Sequence, residues 1–252
     1  MIIATIQARL GSSRLPKKVL KEFDVGIQCL ELQVKRVLQS KYVEDVVVAT
    51  SDSEIDDEIE EFCIKHSYSL FRGSENDLLK RLSDLSVNYK HTLQVELYGD
   101  CPFIDPGIID QLIEIYYAKN VEYVTNSIKT TFSPGMEASI FKPSLLFMAD
   151  ELIPANHPNR EHVSICLKEA IQHYGLNYHN VEASGALFRP NYYFELDELD
   201  DFNFLNVILN AMFSRHGLRF SALDLIDYVD NNPNIITNDK IKRRWKEYRE
   251  DI

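Results

Sequence analysis

The sequence predicts an α/β fold, with a mostly parallel central sheet and helices on both of its faces. Short apolar runs alternate with longer amphipathic ones through the first half of the chain, and crossover connections of a parallel sheet need that order. The apolar runs are continuous, as in "IIATIQ" and "DVVVAT", which is how strands covered on both faces read. At 252 residues and 45% apolar composition, one globular domain over 1–252 is expected.

Each element follows from its own pattern. Residues 2–7 read as a buried strand, 28–39 ("QCLELQVKRVLQ") as a helix with apolar residues at helical spacing, and 45–50 as a second buried strand. In 52–66, "DSEIDDEIEEFCIKH", the acidic first turn and basic end suit a helix dipole. Strand 68–73, helix 77–89 and strand 92–99 repeat the alternation, and a proline starts a helix at 107–119. After "VEYVTNS" (121–127) the pattern loosens: 130–141 is turn-rich, and 147–164 reads as a helix end, a polar loop and a new helix. Residues 128–190 are therefore expected to form a small inserted lobe or lid. "YYFELD" (192–197) returns to a strand, a helix follows at 200–213 with Asp200 and Asp201 as its N-cap and first-turn acids, and 214–252 forms a helical tail.

Composition narrows the function. A net charge of −12 argues against a nucleic-acid or membrane-surface binder, because such proteins present a broad basic face. Yet residues 1–21 hold Arg9, Arg14, Lys17, Lys18 and Lys21 with no Asp or Glu. The positive charge is local and suits a small anion. Four cysteines without a CxxC pair suggest neither a disulfide framework nor a zinc site. No apolar stretch approaches the roughly 20 residues of a membrane span, and a cytoplasmic location is expected.

In open α/β sheets ligands bind beyond the carboxyl ends of the strands, and three such ends are polar here. The first is "ARLGSSRLPKK" (8–18), where a glycine, two serines and several cations are able to cradle a polyphosphate. It matches neither GxxxxGK[ST] nor GxGxxG, and on composition alone it is either an anion site or a bare basic loop. The second is Asp100 in "GDCPFIDP", which is placed either to hold a hard divalent cation or merely to form a turn. The third is Asp197 in "FELDELDD". Two carboxylates on strand ends facing a basic loop suit metal-assisted nucleotidyl transfer.

The loop "IQARLGSSRLPKKVL" resembles the signature (I/P)-x-A-R-x-x-S-x-R-L-P-x-K of cytidylyltransferases that make CMP-activated sugar acids. "VVVATSD", "FRGSENDLLKR", "GDCPFIDPGIID", "YVTNS", "NREHVS", "ELDELDDF" and "FSALDLIDYVDNNP" follow in that family's order across nearly the whole chain. The chain looks closest to the spore-coat-polysaccharide branch, related to CMP-ketodeoxyoctulosonate and acylneuraminate synthetases. The resemblance implies a nucleotide-diphospho-sugar transferase-like fold, with 128–190 on the acceptor side, and transfer of CMP from CTP to a small acidic or sugar acceptor.

Carried over by residue, Ala8, Arg9, Gly11, Ser12, Ser13, Arg14 and Lys18 match the loop that holds the CTP phosphates, while Lys17 stands where glycine is common. Arg72, Ser74, Asn76 and Asp77 match the stretch that reads cytosine. Asp100 and Asp197 match the Mg²⁺ carboxylates, and together with Arg9 and Lys18 are the expected catalytic set. Tyr98, Glu137, Arg160, Glu161 and His162 are expected at the acceptor. Two segments depart from the family pattern. "VELYGDCP" carries Glu96 in place of an arginine and Tyr98 in place of a threonine, and "SPGMEAS" carries Glu137 and Ser139 where an aspartate and a glutamate are usual. A phosphorylated or phosphonate acceptor, giving a CDP-type product, therefore remains open. So does a non-catalytic nucleotide-binding protein; a glycosyltransferase lacks its D-x-D motif here. A homodimer is expected from the resemblance.

Overall fold

The computed structural model describes residues 1–243. Four strands build the first half of the sheet: β1 (Ile2–Gln7), β4 (Asp45–Ser51), β5 (Ser69–Gly73) and β6 (Leu93–Tyr98); β1, β4 and β6 are largely buried, and β5, at the sheet edge, is half-buried. Between β1 and β4 lie a two-residue hairpin, β2 (Glu22–Phe23) with β3 (Ile27–Gln28), and the helix α1 (Cys29–Val37). The helices α2 (Asp57–His66) and α3 (Leu78–Asn88) make the next crossovers. All three pairings, β1 with β4, β1 with β6 and β4 with β5, are parallel.

The second half adds α4 (Pro106–Lys119), β7 (Tyr123–Thr125), β8 (Ser139–Phe141), α5 (Pro143–Leu152), α6 (Val163–Tyr174), β9 (Tyr178–Asn180), α7 (Leu199–His216) and α8 (Ala222–Asn231). Pro106 starts α4 as expected, behind an Asp105 N-cap that accepts from Gly107 N at 2.8 Å. The seven-stranded sheet runs β5-β4-β1-β6-β8-β7-β9, and β8 alone is antiparallel to its neighbours. The segment 128–190 thus gives two strands to the central sheet and two helices to its face.

Alternation along the strands divides the core. Ala4, Ile6, Val46 and Val48 face α1, α2, α4, α7 and α8, while Ile3, Val47 and Ala49 face α3, α5 and α6. Helices cover both faces, as the sequence predicts. Strand order reverses beside β1, so the loops leaving β1 and β6 open a crevice above the sheet.

Two expectations need correction. Residues 192–197 are extended but form no strand: Phe194 N donates to Pro134 O and Leu196 N to Asp100 O, each at 2.7 Å, so the segment bridges two loops. The cap of α7 is Glu198, in a capping box with Asp201, rather than Asp200. Residues 244–252 of the expected helical tail lie outside the described residues.

Candidate active site

Above the carboxyl ends of β1 and β6 lies a cleft of about 460 Å³. Its floor is made by close approach of two strand ends. Gly99 N donates to Gln7 O at 2.9 Å, and a Cβ at Gly99 would lie 2.3 Å from that oxygen, so only glycine lets the strands meet there.

The loop after β1 bends over this floor. Asp56, 1% exposed, accepts from Leu10 N at 2.7 Å, Ser12 N bonds Leu10 O at 2.8 Å, and Ser12 Oγ accepts from Leu15 N. Among the described residues the backbone N–H groups of Gly11 and Ser13 make no hydrogen bond. Ala8, Arg9, Gly11, Ser12, Ser13, Arg14 and Lys18 all line the cleft. Lys17 has φ 55°, ψ 24°, the left-handed region that glycine enters freely, which explains glycine at this position in the family pattern. Its ammonium turns away to Glu58.

Lys18 and the two acids converge. Lys18 Nζ donates to Asp100 Oδ2 at 3.1 Å, Asp197 Oδ1 at 2.9 Å and Leu196 O at 2.8 Å. Arg14 Nη2 holds the other oxygen of Asp197 at 3.0 Å. Burial works against charge on Lys18, yet Asp100 and Asp197 outweigh it and raise its pKa. Burial likewise opposes ionisation of Asp197, but Lys18 and Arg14 hold its carboxyl below the usual range.

Asp197 is fixed from behind. Asp201, fully buried, accepts from Asp197 N at 3.0 Å and Glu198 N at 2.9 Å, and takes Arg243 Nη2 at 2.7 Å and Nη1 at 3.0 Å. Arg243 also reaches Glu195 at 3.2 Å. Opposite, Glu137 accepts from Gly135 N at 2.7 Å. Gly135 has φ 101°, and a Cβ there would meet Phe194 C at 2.5 Å; this turn and the Asp197 segment are packed backbone to backbone.

Tyr98, Glu137, Glu161 and His162 stand on the cleft wall with Asp100 and Asp197, whereas Arg72, Ser74, Asn76, Asp77 and Arg160 do not. Arg72 is spent elsewhere, on Asp57 at 2.7 Å, Glu60, Ser51 O and Ser53 O. Asp77 caps α3, accepting from Lys80 N at 2.8 Å, and holds Arg160 at 2.7 Å. Arg160 also binds Asp150 and Ile153 O, so it fastens the turn before α6 to α3 and α5. Gln7, Glu75, Arg81, Ser164, Lys168 and Glu195 line the cleft unforeseen. Arg81 left a readable signal: a charge among Leu78, Leu82 and Leu85 on the inward side of a helix.

The departures at 96 and 139 are one local change, because Glu96 and Ser139 face each other across β6 and β8. Glu96 is completely enclosed; its Oε1 accepts from Gln7 Nε2 and its Oε2 has no partner among the described residues. Burial pushes its pKa up to about 8, against the Gln7 hydrogen bond.

Residues 3–202 match the cytidylyltransferase family. The spore coat polysaccharide biosynthesis protein SpsF of Bacillus subtilis (strain 168) is 30% identical over 242 residues, covering 94% of this chain and 97% of its own. A cytidylyltransferase from Leptospira borgpetersenii superposes with a TM-score of 0.85 at 33% identity, over 96% of this chain and 99% of that one. CMP:2-keto-3-deoxy-manno-octonic acid synthetase, solved with CTP, superposes at 0.61 with 16% identity, over 83% and 98% of the two chains, and shares the fold.

Proposed function

The chain belongs to the cytidylyltransferase family, and from that premise we propose that it transfers CMP from CTP to a sugar-acid acceptor in surface-polysaccharide or glycoconjugate synthesis. The observation that carries this reading is the convergence of Lys18 on Asp100 and Asp197 beneath the loop 8–14.

In the reaction an acceptor oxygen attacks the α-phosphorus of CTP, the bond from that phosphorus to the bridging oxygen breaks, and pyrophosphate leaves. Mg²⁺ suits the two acids: they already share one cation, the Lys18 ammonium, and a hard ion takes carboxylate oxygens together with phosphate oxygens and water. Held by Asp100 and Asp197, it would neutralise charge on the phosphates. Arg9 and Arg14 flank the same cleft and offset charge on the leaving pyrophosphate. The unbonded N–H groups of Gly11 and Ser13 support an anion there. Positioning and charge neutralisation suffice for this transfer, with no covalent intermediate on the chain.

The acceptor wall is where this chain has its own character, since Glu96 underlies Gln7 and Glu137 is tied to its own turn. That keeps a phosphorylated acceptor in the comparison. The test is pyrophosphate release with CTP, UTP, ATP and GTP, crossed with keto-deoxy sugar acids and phosphorylated polyols. Turnover with CTP and a sugar acid is expected. Turnover only with a phosphorylated polyol would overturn the acceptor class, and CTP binding without turnover on any acceptor would overturn catalysis.

A further inference from the structure

Glu96 is enclosed on β6 between Thr5 of β1 and Ser139 of β8. Among the described residues no cation reaches it. It has one hydrogen bond, from Gln7 Nε2 to its Oε1, and its Oε2 has no partner there. A buried acid with no cation beside it is held neutral.

Gln7 carries this arrangement into the cleft. It is the last residue of β1, level with Tyr98 on β6, and it lines the cleft wall. A primary amide donates from its nitrogen and accepts at its oxygen. The nitrogen is tied to Glu96, whereas the oxygen makes no hydrogen bond among the described residues and, unlike Glu96 Oε2, is not enclosed. Glu96 thereby fixes the amide with its oxygen left for a ligand.

The surroundings suit a ligand that donates. From β6 through β8 the cleft residues are Tyr98, Gly99, Asp100, Cys101, Ser127 and Glu137, with no cation among them. The cations come from elsewhere: Arg9, Arg14 and Lys18 from the loop after β1, Arg81 from α3 and Lys168 from α6. An anionic group placed against Gln7 would meet a carbonyl oxygen and two carboxylates, whereas a hydroxyl or amide N–H would be satisfied there.

We propose that Gln7 is a specificity-determining residue that accepts a hydrogen bond from a hydroxyl or N–H of the acceptor, with Glu96 as its positioning residue. That the donor belongs to the acceptor rests on the cytidylyltransferase reading; the direction of the hydrogen bond does not.

The experiment is steady-state pyrophosphate release from CTP in wild type, Gln7→Met, Glu96→Gln and Glu96→Leu. The acceptors are a keto-deoxy sugar acid, its monodeoxy analogues and a phosphorylated polyol. Gln7→Met keeps the length of the side chain and removes the oxygen. KM for the sugar acid is expected to rise about 3- to 10-fold, the worth of one neutral hydrogen bond, more than kcat falls, with KM for CTP unchanged. One monodeoxy analogue is expected to lose as much on wild type and nothing further on Gln7→Met. Glu96→Gln still offers an oxygen to Gln7 Nε2 and is expected to recover the KM that Glu96→Leu loses.

An unchanged sugar-acid KM in folded Gln7→Met overturns the proposal. So does an equal rise in KM for CTP, which would put the nucleotide on Gln7. A loss confined to the phosphorylated polyol also overturns it, because the amide N–H would then face the cleft. If Gln7→Met does not fold, the side-chain amide resonances of Gln7 in wild type carry the test: a shift on adding the sugar acid to the CTP complex is expected, and no shift overturns the contact. Absence of turnover on every acceptor would defeat the transfer reading alone; the same resonances, titrated with the sugar acid, would still decide for or against Gln7.

Discussion

Lys18 and Asp197 form a 2.9 Å ion pair across 179 positions of chain, and Lys18 bridges from there to Asp100 at 3.1 Å. Replacing Lys18 by methionine leaves two carboxylates facing each other without their shared cation. Pyrophosphate release from CTP is expected to fall by about 100-fold or more. Lys17→Gly provides the contrast, since glycine suits a φ of 55° and the Glu58 contact is exposed; activity within about twofold of wild type is expected. Steady-state assays of both variants, with melting curves, check the pair.

Arg160 and Arg72 separate structural from ligand roles. Arg160 is 3% exposed and answers Asp77 and Asp150, so Arg160→Ala is expected to cost about 3–5 kcal/mol in urea unfolding. Arg72 is partly exposed and paired with the exposed Asp57 and the partly exposed Glu60, and Arg72→Ala is expected to cost about 1 kcal/mol or less with CTP affinity unchanged. A large loss of CTP affinity in Arg72→Ala would restore that residue to the nucleotide site.

Much of this was legible in the sequence, for a physical reason. β1, β4 and β6 lie inside the sheet with helices on both faces, so their residues had to be continuously apolar. β8 and β9 are three residues each, too short for any period to show. "YYFELD" has the composition of a strand, but its N–H groups bond to loop carbonyls at Pro134 and Asp100, a partnership that only tertiary structure decides. Asp100, Asp197 and the loop 8–14 were readable because a turn and its charges are local in sequence. Arg72 and Arg160 lie off the cleft wall, which the sequence does not reveal, because an arginine near a site motif looks the same whether it meets ligand or a neighbouring carboxylate. Arg81 was readable in principle, as a charge within the apolar stripe of α3.

Glu96 gives the folded state a pH dependence. It keeps its proton to about pH 8, against an ordinary value of 4.5, so between those limits the folded chain binds a proton that the unfolded chain has released. Stability therefore falls as pH rises through that window, by up to about 1.4 kcal/mol per pH unit from this group. Glu96→Gln keeps the shape and removes the charge, and a flatter stability curve between pH 5.5 and 7.5 is expected in urea titrations. Parallel curves for variant and wild type would contradict the buried neutral acid.

Arg243 holds Asp197 at one remove. Its guanidinium answers the fully buried Asp201, whose carboxylate receives Asp197 N. Arg243→Ala is expected to lower stability by about 3–5 kcal/mol and to reduce kcat for pyrophosphate release more than it raises KM for CTP. Equal kcat in the folded fraction would show that Asp197 needs no such backing.

On the proposed reading, Asp100 and Asp197 carry the chemistry of a CTP-dependent transfer. Pyrophosphate release from CTP, measured with excess Mg²⁺ in Asp100→Asn and Asp197→Asn beside wild type, tests it most directly. Both variants are predicted to stay folded and to lose about 100-fold or more in turnover. Near-wild-type release in either folded variant would show that the transfer does not depend on that carboxylate.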